Sequence, residues 1–330
     1  MNATAPNTPF WLCNGNADTL FSKLLQGKPP AYRRELLPDS TGETQTAYDF
    51  IDSPDPDVPL LVVFHGLEGS SRSHYAIEMM KAVQRKGWHG VVAHFRSCGG
   101  ITNTAPVFYH SGDTREIGFM LDTLAARYPK IYAVGVSLGG NALAKYLGEQ
   151  GRLNRAAPVK AAAAVSAPVD LAAAGTRFDR GLTRLLYTRY FLNSLVPKAR
   201  AFSRFSSAET RPARLQTALS LSQCKTLGDF DDLFTAPLHG FADRHDYYRQ
   251  SSCKPFLKDV AVPLLLLNAV NDPFLPPEAL PSATEVSPSV TLLQPPHGGH
   301  VGFVSRDRGR LNIEWLPKTV LAYFDATATP

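Results

Sequence analysis

The sequence predicts an α/β protein: a mainly parallel, eight-stranded sheet flanked by helices, with a helical lid inserted before its last two strands. Three observations predict it. From residue 58 onward, short apolar runs rich in β-branched residues alternate with segments of helical spacing, the pattern of strands buried on both faces. One glycine-rich turn joins such a run directly to a helix. The alternation then stops between about Leu171 and Ser252 and resumes at Val262-Pro263.

The elements follow in order. Residues 1–30 read as an irregular N-terminal segment ending in Gly27-Lys28-Pro29-Pro30. Tyr32 to Leu37 and Thr44 to Phe50 are short extended runs separated by turn residues, which reads as a hairpin. Val58 to Phe64 is a strand, and Ser73 to Lys86 a helix with apolar Ala76, Met79, Met80 and Val83 on one side. Gly90 to His94, Ile131 to Val134, Val159 to Val165, Val262 to Leu267 and Val290 to Leu293 supply further strands. Asp113 to Tyr128, Gly139 to Gln150 and Leu316 to Phe324 supply helices. The organisation is therefore a core of residues 31–170 and 253–330, with residues 171–252 as the inserted helical lid.

Composition narrows the function classes. With 44% hydrophobic and 19% charged residues, the 330-residue chain is neither disordered nor collagen-like. Its four cysteines, Cys13, Cys98, Cys224 and Cys253, are widely spaced and form neither a disulfide framework nor a zinc motif. Met1 to Phe10 lacks a signal-peptide pattern, and no apolar run approaches the roughly 18 residues that span a bilayer, so a cytoplasmic protein is expected. A net charge of +5 is too small to argue for nucleic acid. No P-loop, no dinucleotide fingerprint and no metal-ligand cluster occurs; His94 and His110 are isolated. No cofactor and no metal is expected.

The sharpest signal is Gly135-Val136-Ser137-Leu138-Gly139-Gly140, directly after an apolar run and directly before a helical segment. That is the context of a nucleophile elbow. A tight strand-to-helix turn strains the serine backbone and crowds its neighbours two residues away, so glycine is needed there. The helix N-terminus behind the serine favours an anion. On the adjacent strand, His65-Gly66-Leu67-Glu68-Gly69 follows Phe64, and the backbone N–H groups of Leu67 and Leu138 are the expected oxyanion donors. His65 itself reads as structural.

The acid and base of such a site follow the serine in chain order. Asp272 stands after Leu264 to Leu267 and is locked by Pro273; His300 stands after Val290 to Leu293 in Pro296-His297-Gly298-Gly299-His300. His300 is preferred to His297 because the two glycines let the loop bring it towards Ser137. Asp243, Asp246 and Glu278 are weaker acid candidates.

With these residues in hand, the chain resembles the α/β-hydrolase superfamily, and within it the YheT-like branch, the AB hydrolase-4 family. The likeness runs over about residues 30 to 325. It rests on the His65 to Gly69, Phe95-Arg96, Tyr109 to Gly112 and Gly135 to Gly140 stretches, and on Phe230-Asp231-Asp232, Asp246-Tyr247-Tyr248, Asn271-Asp272-Pro273 and Gly298 to Phe303. The resemblance implies a serine esterase, lipase or acyltransferase with its triad on Ser137, Asp272 and His300. Two positions depart from the pattern: Ser97, where glycine often follows the arginine, and Asn271, where an acid is common.

The expected activity is cleavage of carboxylic esters, from short- to medium-chain acyl esters to lipids, through an acyl-serine. The alternatives are an acyltransferase with the same triad and a non-catalytic binding protein on the same fold. The partner is a small-molecule acyl ester or lipid. The stretch from Arg177 to Arg214 carries nine basic and two acidic residues among aromatic and aliphatic ones. It reads first as a solvated helix face packed by its apolar underside, and second as a peripheral contact with anionic membrane. Acyl chain length, leaving group and oligomeric state have no signature in the sequence.

Overall fold

The computed structural model describes residues 5–205, 221 and 223–328. Eight strands form one sheet in the order β1-β2-β4-β3-β5-β6-β7-β8. Helix α1 (Gly15–Leu24) precedes the sheet. Strands β1 (Arg33–Pro38) and β2 (Gln45–Ile51) are an antiparallel hairpin at one edge, and β2 also runs antiparallel to β4. Then follow β3 (Leu60–Phe64), α2 (His74–Lys86), β4 (His89–Ala93), α3 (Thr114–Ala125), β5 (Ile131–Val136), α4 (Leu138–Arg152) and β6 (Ala161–Val165). From β3 to β8 the pairings are parallel.

The reason these runs are strands is visible in their burial. Every residue of β3 is buried, with Leu60, Val62 and Phe64 in the core on one face and Leu61 and Val63 in the core on the other. A strand covered on both faces has no polar side to show. The strand order reverses between β3 and β5: the chain leaves β3 for β4 on one side, then crosses to β5 on the other. Ligand sites of such sheets open at the carboxyl ends of the strands flanking that reversal. Phe64 and Gly135 are paired in register there, so the turns that follow them are neighbours.

Between β6 and β7 the chain makes a helical insertion: α5 (Leu171–Phe178), α6 (Gly181–Thr183), α7 (Arg189–Phe205), α8 (Leu227–Phe230), α9 (Ala236–His239) and α10 (Arg244–Ser251). Two π-helical turns, Arg184–Thr188 and Asp231–Thr235, join parts of it. The sheet resumes with β7 (Leu264–Leu267) and β8 (Val290–Leu293). A small hairpin, β9 (Ser305–Asp307) and β10 (Arg310–Asn312), precedes α11 (Trp315–Ala328). Of the basic residues from Arg177 to Arg214, Arg211 and Arg214 lie outside the described residues, as does Glu209.

Two elements differ from the sequence reading. The N-terminal segment is not irregular throughout: it holds α1, capped by Asn14, whose side chain accepts from Asn16 and Ala17 N–H. Its fully buried positions, Asp18, Thr19 and Ser22, are polar, while Ala17, Phe21 and Leu25 recur at helical spacing and pack against Leu12, Val304 and Ile313. The β9-β10 hairpin has no apolar alternation because its strands are polar but for Leu311. Its turn is set by Arg308 (φ 48°) and Gly309 (φ 79°), consecutive left-handed residues as two-residue hairpins demand.

Candidate active site

Ser137 sits between β5 and α4 with φ 53° and ψ −118°, a conformation that costs on the order of 1–3 kcal/mol for a non-glycine residue. Its surroundings enforce it. A Cβ on Gly135 would lie 2.3 Å from the Gly139 carbonyl oxygen, and one on Gly139 would lie 2.5 Å from that of Phe64. The Ser137 N–H donates to the Val165 carbonyl at 2.8 Å, tying the turn to β6.

His300 reaches the serine from the loop after β8. Its Nε2 is 2.9 Å from Ser137 Oγ, and its Nδ1 is 2.9 and 3.2 Å from the two carboxylate oxygens of Asp272. A carboxylate can only accept, so Nδ1 carries the ring proton and Nε2 is free to accept the serine hydroxyl proton. Asp272 is buried, and the Phe274 N–H donates to its Oδ1 at 2.8 Å. The Phe274 ring lies 4.1 Å from the imidazole, centre to centre.

The loop that carries His300 is held from outside. The His300 N–H donates to Thr19 Oγ1 (2.8 Å), Gly299 N–H to Asn271 Oδ1 (2.9 Å), Val301 N–H to Ser166 Oγ (3.1 Å), and Val304 N–H to Asp18 Oδ1 (3.2 Å). Thr19 and Asp18 belong to α1, so the segment read as irregular supports the histidine. Asn271 also donates to the Cys13 carbonyl at 3.1 Å, a link between α1's approach and the loop that needs an amide, with both a donor and an acceptor.

The turn after β3 is fixed just as closely. Phe95 N–H donates to His65 Nε2 (3.2 Å), so Nδ1 holds the proton and donates to the Gly66 carbonyl at 2.7 Å. Burial pushes this imidazole down to about 3, and it stays neutral. Gly69 N–H also donates to the Gly66 carbonyl (2.9 Å). In a trans peptide the N–H points opposite to the C=O, so anchoring the carbonyl aims the Leu67 N–H. Gly66 N–H is taken by Tyr75 Oη (2.8 Å) and Glu68 N–H by Tyr109 Oη (3.1 Å). The N–H groups of Leu67 and Leu138 find no partner among the described residues. A Cβ on Gly66 would come within 3.1 Å of Ser137 Cβ, so the turn abuts the serine. The Glu68 carboxylate accepts from Tyr109 Oη at 2.6 Å and pairs with Lys198 at 2.8 Å; Ser194 donates to it as well. This joins the turn to α7.

A cavity of 410 Å³ opens over Ser137 and His300, within the range of small-molecule sites. Leu171, Phe178, Leu195, Leu227 and Phe230 of the insertion line it, opposite Leu67 and Phe108 of the core.

The other candidates stand elsewhere. His297 does not line the cavity, and its Nδ1 is buried without a partner among the described residues. Asp243 caps α10, Asp246 accepts from Gln250 and Ala242, and Glu278 is exposed. Arg96 is buried against Asp39 (2.5 Å), Asp113 (2.8 Å) and Glu116, tying the β1-β2 turn to the start of α3. Ser97 takes φ 62°, which is the reason glycine suits that position. Asp231 accepts from Tyr248 Oη at 2.8 Å, linking the Phe230-Asp231-Asp232 and Asp246-Tyr247-Tyr248 stretches across the insertion. Among the described residues, no group of three or more His, Cys, Asp or Glu could hold a metal ion, and no helix is long and apolar enough to cross a membrane.

Sequence reasoning missed Thr19, Asn271, Tyr75 and Tyr109 as supports. A lone threonine on a helix carries no signal, and the two tyrosines act on main-chain N–H groups of another turn.

Comparison with known proteins places the chain in a family. Residues 59–307 match the model of the alpha/beta hydrolase fold family. The chain is 41% identical over 285 residues to the putative esterase YheT of Escherichia coli (strain K12), covering 83% of this chain and 79% of that one. It is 29% identical over 305 residues to the phospholipase ABHD3 of Homo sapiens, covering 89% and 72%. The structure of the Pyrococcus furiosus esterase Pf2001 overlays with a TM-score of 0.56 at 13% identity, over 91% of this chain and 97% of that one, a likeness of fold. The chain belongs to the α/β-hydrolase fold family, in the YheT-like branch that AB hydrolase-4 members such as ABHD3 share.

Proposed function

We propose that the protein is a serine hydrolase of carboxylic esters, with Ser137 as nucleophile, His300 as general base and acid, and Asp272 as the group that orients and stabilises the imidazolium. The observation that carries this reading is the unbroken relay from the Asp272 carboxylate through His300 to Ser137 Oγ, with 2.9 Å on each side of the ring. The esterase and phospholipase names of the two relatives support the class.

In this reading Ser137 Oγ attacks the ester carbonyl while His300 Nε2 takes its proton. The negative charge that develops on the carbonyl oxygen falls to the N–H groups of Leu67 and Leu138; one such donor is worth roughly 3–4 kcal/mol in the transition state. His300 then gives its proton to the departing alkoxide, which leaves as the alcohol. Water, deprotonated by the same imidazole, attacks the acyl-Ser137 ester and releases the acid and the free serine. The aliphatic and aromatic walls favour an acyl chain, each buried methylene adding about 0.8 kcal/mol. The insertion then acts as the lid.

A fluorophosphonate probe tests the nucleophile: it labels Ser137, and Ser137→Ala removes the label. Labelling of another serine, or none on folded protein, overturns the assignment. A p-nitrophenyl ester series tests the substrate: turnover rises from acetyl towards medium chains and then falls. A strict acetyl preference means the insertion walls off a small site. Added alcohol separates hydrolysis from acyl transfer by its ester product.

A further inference from the structure

Eight of the eleven exposed large apolar side chains among the described residues lie on two short stretches of chain. Phe10, Trp11, Leu20 and Leu24 stand on α1 and the turn ahead of it, Phe10 and Leu24 at 87% and 78% exposure. Leu182, Leu185, Leu186 and Tyr190 stand where the insertion begins, Leu182 and Leu185 at 64% and 74%. Exposed apolar side chains on a protein that meets only water are scattered singly; a cluster marks an interaction surface.

The two stretches touch. Tyr187 Oη donates to Asn16 Oδ1 at 3.2 Å, and the Lys23 ammonium lies 4.8 Å from the centre of the Tyr190 ring. Their charge is of one sign. Residues 180–205 contain six basic residues and no acidic one. In residues 8–31 the one acid, Asp18, is fully buried, while Lys23 and Lys28 are exposed. Arg180, Arg184 and Arg189 are exposed beside the apolar patch. Lys23, Tyr187 and Tyr190 also line the cavity over Ser137, so the patch borders its mouth.

We propose that this face is a docking surface for an anionic lipid bilayer. Leu24, Leu182 and Leu185 enter the headgroup boundary, and Arg180, Arg184 and Arg189 answer the lipid charge. An uncharged apolar patch would suit a protein partner or a second copy of the chain equally. The basic rim without an exposed acid selects a surface that is negative everywhere, and the continuity with the cavity gives an acyl chain a path that avoids water.

The test is sedimentation of the full chain with phosphatidylcholine vesicles, with and without phosphatidylglycerol. The parent binds the anionic vesicles at least tenfold more tightly than the neutral ones. Raising the ionic strength from about 0.1 M to 1 M, which shortens the screening length from about 10 Å to 3 Å, releases most of it. Leu24→Glu with Leu185→Glu abolishes binding, and Arg184→Glu with Arg189→Glu weakens it at least fivefold. All these positions are exposed, so the melting temperature stays at the parent value and hydrolysis of a water-soluble p-nitrophenyl ester is unchanged. Parent protein that ignores anionic vesicles overturns the proposal, as does binding that the leucine and arginine variants leave intact. A parent that sediments as a dimer without binding vesicles, and that Leu24→Glu with Leu185→Glu makes monomeric, assigns the face to a second copy and equally overturns it.

Discussion

Ser137 and His300 meet at the carboxyl ends of β5 and β8, yet they are held in opposite ways. The serine is held locally. Gly135 and Gly139, two residues to either side, make the turn sterically feasible, and the backbone of β3 and β6 closes around it. The histidine is held remotely, by side chains of α1, of the loop after β6 and of the loop after β7. In the proposed mechanism the nucleophile is the strained residue, and strain is best enforced by covalent neighbours. The proposed base bridges two other elements, so its loop takes its position from them. A motif of five residues can record the first arrangement; no short motif can record the second.

The sharpest way to break this comparison is to show that the two regions do not act as one site. Ser137→Ala and His300→Ala should each lower kcat for a p-nitrophenyl ester by about 10⁴–10⁶, and the double variant should lose no more than the worse single one, because triad members fail together. His297→Ala should retain most activity. Multiplying losses in the double variant would mean that the two residues serve separate steps.

The next test sets one support of each region side by side. In Gly139→Ala the new methyl meets two main-chain oxygens, 2.5 Å from that of Phe64 and 2.6 Å from that of His65, and neither can swing aside. We expect a loss of about 3 kcal/mol in urea unfolding and no measurable turnover. Thr19→Val takes the acceptor from the His300 N–H without adding bulk. It should cost about 1–3 kcal/mol and lower kcat roughly tenfold while KM moves little. Equal effects from the two variants would erase the distinction between local and remote support.

How much of this was legible follows the same division. The inner strands β3, β5, β6 and β7 were readable because burial on both faces leaves only apolar or small residues, the β1-β2 hairpin because turn residues separate its two runs, and the elbow because its glycines sit where an apolar run gives way to a helical period. Ser137, Asp272 and His300, the proposed triad, could be picked in order, since each follows an apolar run. The supports could not. Helix α1 holds a loop nearly three hundred residues later through Asp18 and Thr19, while its Ser22 meets His74. The apolar spacing of Ala17, Phe21 and Leu25 can announce a helix, but nothing in it announces the polar side that holds the loop, whose partners are known only once the chain has folded. Tyr75 and Tyr109 were hidden for another reason: each spends its hydroxyl on a main-chain N–H, a role no side-chain pattern encodes.

The smallest net effect belongs to Asp18, and it probes remote support through its charge. Asp18 is fully buried beneath the His300 loop; one carboxylate oxygen accepts from Val304 N–H, and the other has no partner among the described residues. Burial raises its pKa from 3.8 to about 6, partly offset by that hydrogen bond. The sign follows: the folded state holds this proton more tightly than the unfolded chain, so the contribution favours folding below pH 3.8 and is lost as the pH rises through about 6. The full swing corresponds to about 3 kcal/mol. Asp18→Asn keeps the acceptor for Val304 and cannot ionise, at the cost of an unpaired amide worth about 1–3 kcal/mol at every pH. Urea midpoints measured from pH 4 to 7.5 should therefore show parent and variant converging or crossing as the pH rises, the parent losing stability that the variant keeps. A difference that stays constant across this range would mean that the buried carboxyl is not ionising there, and that the loop rests on α1 through hydrogen bonds alone.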